Sequence, residues 1–276
     1  MCPAKVAPDA QRGHLIPIGG AEDKVGDIGV LKRFIRLCPK RPAIAIVPTA
    51  SRLEETGRVY QDLFRDLGAS QAQILSFADR GDCEDPTQLA LIEQADAVFI
   101  TGGNQLRLST TLGGTSVAKL LRRRNAEGMP IAGTSAGAAI MPEHMIAGGE
   151  EGAAPRAGMV SLAPGLGLTN KVMVDQHFRQ RDRLGRLISA LSLNPFAVAL
   201  GIDEDTAAFI DGDNMLEVVG SGTVTILDPA DLGHSSMPDA GSGEVLSVTN
   251  IRLHVLAAGG RFDLDARSAH APPDQD

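Results

Sequence analysis

Tryptophan is missing from this 276-residue chain, and tyrosine occurs once. Without aromatic faces there is no platform on which single-stranded bases could stack. Basic residues are not in excess either. The balance of 26 Lys and Arg against 34 Asp and Glu gives a net charge of −8, where a general nucleic-acid binder wants a basic surface. Cysteine is scarce. Cys2, Cys38 and Cys83 are odd in number, far apart and in no metal-ligand spacing, which argues against a disulfide framework and for reduced cytoplasmic thiols. No apolar run approaches the roughly eighteen residues of a membrane span. Residues 1–13 hold no long apolar stretch of the kind a secretory signal needs.

What the chain has in plenty is aliphatic residues and glycine, with 43% hydrophobic residues and 31 Gly, enough to bury a substantial core. In the first half, apolar segments alternate with amphipathic ones. Strands are expected at 14–18, 43–47, 72–75, 97–100 and 131–133. Helices are expected at 28–37, 53–67, 86–94 and 117–125, the second with Leu53, Val59, Leu63, Phe64 and Leu67 on its inner face. Strands that are apolar throughout and separated by helices predict a parallel sheet covered on both faces. Ligands of such sheets sit beyond the carboxyl ends of the strands. Gly19-Gly20, Thr49, Gly102-Gly103 and Ser135 all fall on that rim. The second half turns antiparallel: segments 207–210 and 215–219 flank Asp211-Gly212-Asp213-Asn214, a hairpin signature, and 224–227 and 251–256 read as further strands. One domain is expected over 1–266, followed by a disordered tail over 267–276.

Gly133-Thr134-Ser135-Ala136-Gly137 is the segment that carries chemistry. A Gly-x-Ser-x-Gly pentapeptide between a strand and a helix is a nucleophile elbow, which lifts a strained serine above the sheet edge. A serine needs a base, and His177 stands out among six histidines through the run 175–186, which contains four arginines in eight residues after apolar Val172-Met173-Val174. Such a run is ordinarily a solvated helix start. A third member of a triad would come from Asp203, Glu204 or Asp205, and spacing alone does not choose among them. The chain order serine, histidine, acid disfavours an α/β-hydrolase, which runs serine, acid, histidine.

Taken together, Ile18-Gly19-Gly20-Ala21-Glu22-Asp23-Lys24, Phe99-Ile100-Thr101-Gly102-Gly103-Asn104-Gln105, the elbow, the run 175–186 and Gly201-Ile202-Asp203-Glu204-Asp205-Thr206-Ala207 resemble the cyanophycinase family. Its members are serine hydrolases related to the aspartyl dipeptidases and to the class I glutamine amidotransferase fold. The resemblance spans residues 14–227. It implies a flavodoxin-like, three-layer α/β sandwich with a mostly parallel sheet and antiparallel additions. It implies Ser135 as nucleophile, His177 as base, Glu204 as the carboxylate, and Gly103 and Ala136 as oxyanion N–H donors. Gln105, Asp175, Gln176, Arg181, Arg183 and Arg186 would line the substrate pocket. No metal or organic cofactor is implied, and the family precedent suggests a homodimer. The implied substrate is cyanophycin, a poly-aspartate with arginine on each β-carboxyl, hydrolysed to β-aspartyl-arginine. Arginine forks suit its carboxylates, and an acid such as Asp175 suits its guanidinium.

Three rival readings follow from the same residues. A dipeptidase acting only on small isoaspartyl peptides would share the chemistry. A glutamine amidotransferase would want cysteine at the elbow, where Ser135 stands. A non-catalytic anion-binding module would use the arginines and the helix start without turnover.

Overall fold

The structure is a computed structural model that describes residues 2–272. Its centre is a nine-stranded sheet. Five parallel strands, Leu15–Ile18, Ala43–Val47, Gln71–Ile74, Ala97–Ile100 and Ile131–Thr134, form one side of it. Leu15–Ile18 is also the junction with the antiparallel side, because Thr206–Ile210 pairs along its other edge. Met215–Gly220, Arg261–Asp263 and Ser268–His270 continue outward from there. The expected hairpin at 211–214 joins two of these strands. Asp211 Oδ1 accepts the N–H groups of Asp213 and Met215 at 3.0 and 2.9 Å, and Asn214 takes a φ of 63°.

Helices cover both faces, as buried parallel strands require. On one face Phe34, Tyr60, Phe64 and Phe99 pack together, with ring centroids 4.6 to 6.2 Å apart. Helix Glu55–Asp66 contributes Gly57, Tyr60 and Phe64 to this face, while Leu53 and Val59 are exposed. Of the inner face expected from sequence, Leu63, Phe64 and Leu67 do pack inward, whereas Val59 lies about 100° off the buried track through 57, 60 and 64.

The C-terminal half adds a second sheet and one correction. Strands Val172–Gln176 and Val198–Ile202 do not join the central sheet. They pair in parallel with each other, and Val224–Asp228 and Arg252–Leu256 extend them into a separate four-stranded sheet. Helix Leu184–Leu193 is the crossover between the parallel pair. The segment expected as a disordered tail contains strand Ser268–His270, because Arg261–Asp263, which covers the outer strand of the hairpin, leaves an edge of its own to pair. Residues 273–276 of that expectation lie outside the described residues. Among the described residues no helix is long and apolar enough to cross a membrane, and no cluster of side chains has the makings of a metal site.

Candidate active site

The elbow is built by close packing. Ser135 follows strand Ile131–Thr134 and precedes the short helix Ala136–Ala139. A Cβ on Gly133 would lie 2.3 Å from the carbonyl oxygen of Gly137, and one on Gly137 would lie 2.2 Å from that of Ile100. Only glycine lets strand and helix approach this closely. Ser135 absorbs the turn with φ 52° and ψ −112°, a conformation that costs a non-glycine residue on the order of 1–3 kcal/mol. Its N–H donates to Ile18 O at 3.0 Å, which fixes the elbow to the neighbouring strand end.

His177 comes from the second sheet, one residue beyond strand Val172–Gln176. Its ring sits over Gly20, where a Cβ would fall 2.3 Å from the imidazole. Its own N–H donates to Gly19 O at 2.8 Å. His177 Nε2 lies 3.0 Å from Ser135 Oγ, and Nδ1 lies 2.6 Å from Glu204 Oε1. In this order of contacts Nδ1–H donates to the carboxylate, and Nε2 faces the hydroxyl as the proton acceptor.

The two acids beside Glu204 are occupied elsewhere. Asp203 is buried and accepts the N–H of Arg179, the N–H of Thr223 and the hydroxyl of Thr223, at 3.1, 3.0 and 2.8 Å. Asp205 accepts Asp23 N–H at 2.9 Å and the Ser221 hydroxyl at 2.6 Å. Geometry thus brings Glu204, of the three, to the imidazole. The first glycine segment is sewn to the same corner, since Gly19 N–H donates to Thr206 O and Asp205 N–H to Gly20 O.

The arginines of the run 175–186 divide into two kinds. Arg186 grips Asp175 with two nitrogens, Nε to Oδ2 at 2.8 Å and Nη2 to Oδ1. Arg183 Nη1 donates to Gln176 O at 2.5 Å and reaches Asp175 Oδ1 and Gln176 Oε1 at 3.3 Å. All four of these residues are buried. Burial holds the Arg183 guanidinium below its ordinary range, against the opposing pull of Asp175. Two guanidiniums face one carboxylate, so the cluster keeps surplus positive charge, and Arg183 Nε has no partner. Arg181 is exposed and has no side-chain partner among the described residues. Gln105 Nε2 donates to Ile146 O and Ala147 O at 3.4 and 3.0 Å.

One polar group of the first glycine segment, Glu22, lies beneath the elbow. Glu22 is buried, accepts the Thr134 hydroxyl at 2.5 Å and the Tyr60 hydroxyl, and lies 3.3 Å from Lys24 Nζ. Burial, and then the Glu22 charge, push the Tyr60 phenol far up. A carboxylate two residues beyond a glycine pair, facing an apolar strand, is the signal that pointed to it.

A profile of peptidase family S51 matches residues 15–218, which include Ser135, His177 and Glu204. The chain belongs to peptidase family S51. Among other S51-like chains, the cyanophycinase of Trichormus variabilis is 45% identical over 264 residues, 95% of this chain and 89% of the relative. That of Geminocystis herdmanii is 42% identical over 265 residues, 95% and 96% of the two chains. A solved structure of a peptidase from an acI-B1 Actinobacterium superposes with a TM-score of 0.63 at 22% identity, covering 88% of this chain and 97% of that one. This S51 peptidase therefore shares its fold with a known peptidase and most of its sequence span with the cyanophycinases.

Proposed function

We propose that this peptidase hydrolyses cyanophycin through an acyl-enzyme on Ser135. The observation that supports it most is the contact chain Ser135–His177–Glu204, at 3.0 and 2.6 Å, in a chain 45% identical to a cyanophycinase over nearly its whole length. Ser135 Oγ attacks a backbone amide carbonyl between two aspartates while His177 Nε2 takes its proton. Glu204 holds the imidazole tautomer and stabilises its charged form. The N–H groups of Gly103, in the turn after strand Ala97–Ile100, and of Ala136, the first residue of its helix, receive the oxyanion. His177 returns the proton to the departing amine, and water, deprotonated by the same histidine, then releases β-aspartyl-arginine. Arg181 meets a substrate carboxylate directly. Arg183, Arg186, Asp175 and Gln176 form the charged wall behind it, and Gln105 lines the opposite side. The reading includes a cytoplasmic homodimer. Three free thiols fit a reducing compartment, and light scattering of the purified chain checks the dimer mass.

The test is incubation with insoluble cyanophycin, with short β-aspartyl peptides and with α-linked peptides, following products by mass. Release of β-aspartyl-arginine from the polymer is expected. Cleavage of small β-aspartyl dipeptides alone would make the chain an isoaspartyl dipeptidase. Ser135→Ala is expected to lower turnover by several orders of magnitude with an unchanged thermal midpoint. Activity within tenfold of the parent would remove the serine from its role.

A further inference from the structure

Most arginines of this acidic protein are spent on internal partners, but three around one groove are not. A cavity of about 710 Å³ beyond the ends of strands Ala43–Val47 and Gln71–Ile74 is lined by Arg52, Arg58 and Arg107. A second, of about 540 Å³, adjoins it and shares Arg52 and Arg107. None of the three guanidiniums has a hydrogen bond or ion pair among the described residues, whereas Arg33, Arg123, Arg186, Arg252 and Arg267 all face carboxylates. Glu54, at the rim, is the one acid lining either cavity. Each cavity lies within the size range of ligand sites, and the walls of the larger one also offer Thr49, Ser51 and Ser76.

One short segment links the groove to the catalytic corner. Asn104, which lines the smaller cavity, follows Gly102 and Gly103 in the chain. A Cβ built on Gly102 would stand 3.3 Å from Ser135 Cβ. Asn104 N–H donates to Ala50 O at 3.0 Å, and its side chain caps the helix that carries Arg107. The three residues Gly102 to Asn104 thus lead from the nucleophile to the arginines. Several unpaired guanidiniums around one groove suit a chain of carboxylates, each taken as a fork, which lysine does not reproduce.

We infer that Arg52, Arg58 and Arg107 form an extended subsite for the carboxylates of repeat units next to the one being cleaved. The inference rests on the polymer reading above. Each repeat of such a polymer offers a carboxylate for an arginine and a guanidinium for Glu54. The subsite makes the enzyme prefer long chains over short ones and keeps it on a polymer between cuts.

The experiment compares the parent with Arg52→Gln/Arg107→Gln and with Arg58→Gln. It measures kcat/KM on cyanophycin and on the shortest two-repeat peptide with one scissile bond. The expected result is a fall of about tenfold in the polymer-to-peptide ratio for the double variant, mostly in KM. A shallower dependence of polymer KM on salt should accompany it, since exposed charge contacts are screened. An unchanged ratio, or an equal loss on both substrates, overturns the subsite. Absence of polymer cleavage by the parent would instead sink the substrate reading. The groove is then tested by titrating Ser135→Ala with poly-L-aspartate: salt-sensitive binding that the arginine replacements abolish upholds it, and binding indifferent to them overturns it.

Discussion

Asp203, Glu204 and Asp205 are adjacent, yet their side chains leave the strand end in different directions. Asp205 turns back through a φ of 48°, and Asp203 points into the sheet corner, which leaves Glu204 toward His177. Sequence spacing did not reveal this, because the choice is made by backbone angles and by partners as far away as Asp23 and Thr223. The elbow was legible at this scale, since its glycines are demanded by contacts within a few residues. Glu204→Gln is expected to lower kcat by on the order of 10³–10⁴ with little change in stability. Asp203→Asn should do the reverse: it weakens three bonds to a buried carboxylate, so the thermal midpoint falls while turnover changes less. Steady-state kinetics and thermal melts on the pair check this, and a greater turnover loss in Asp203→Asn would reassign the acid.

The run 175–186 departs furthest from the ordinary reading of its charges. Four arginines predict a solvated helix start, but the chain passes from a strand into a short 3-10 turn at Arg179–Arg181. It reverses at Asp182 with φ 46° and then enters helix Leu184–Leu193 with Arg183 and Arg186 turned inward. Asp175, the group that draws them in, precedes the turn, and nothing local announces the pairing. Strands Ala43–Val47 and Ala97–Ile100 and helix Pro86–Gln94, by contrast, match their expected limits, because apolar runs and a proline at the helix start are local signals. Helix Gln105–Leu112 went unseen because its polar and β-branched residues mute the periodicity; the Asn104 cap was its one clear mark. Arg186→Met removes the two-nitrogen fork from buried Asp175, leaving it Arg183 at 3.3 Å, and should cost about 1.5–3 kcal/mol of stability, read as a lower urea midpoint. The same change at exposed Arg181 should leave the midpoint within about 0.5 kcal/mol and act on catalysis instead. Equal midpoints for the two variants would show that the buried cluster does not hold the turn.

At the scale of the molecule, the proposed triad spans two sheets: Ser135 belongs to the nine-stranded one, while His177 and Glu204 hang from the four-stranded one. Sequence indicated the strands but not this partition, which depends on pairings such as Val198–Ile202 with Val224–Asp228. The cysteines report on the assembled state. Burial and the Asp96 charge push the Cys38 thiol up to about 12, and burial raises that of Cys83, while Cys2 is exposed. Iodoacetamide near neutral pH should therefore modify one thiol per chain readily, without loss of activity, and the other two only in denaturant. Rapid labelling of all three in the native protein would contradict the packing around Cys38 and Cys83.

Strand Leu15–Ile18 is flanked by Ile131–Thr134 on one side and Thr206–Ile210 on the other. On the ribosome these neighbours arrive far apart in time. At roughly 5–20 residues per second, the interval between them is on the order of 4–15 seconds. During it the parallel half has every strand it needs except the one that closes its apolar edge. Such an edge is open to pairing with another nascent chain. Chaperone demand should thus be concentrated in one window of synthesis, and it ends when residue 210 clears the exit tunnel.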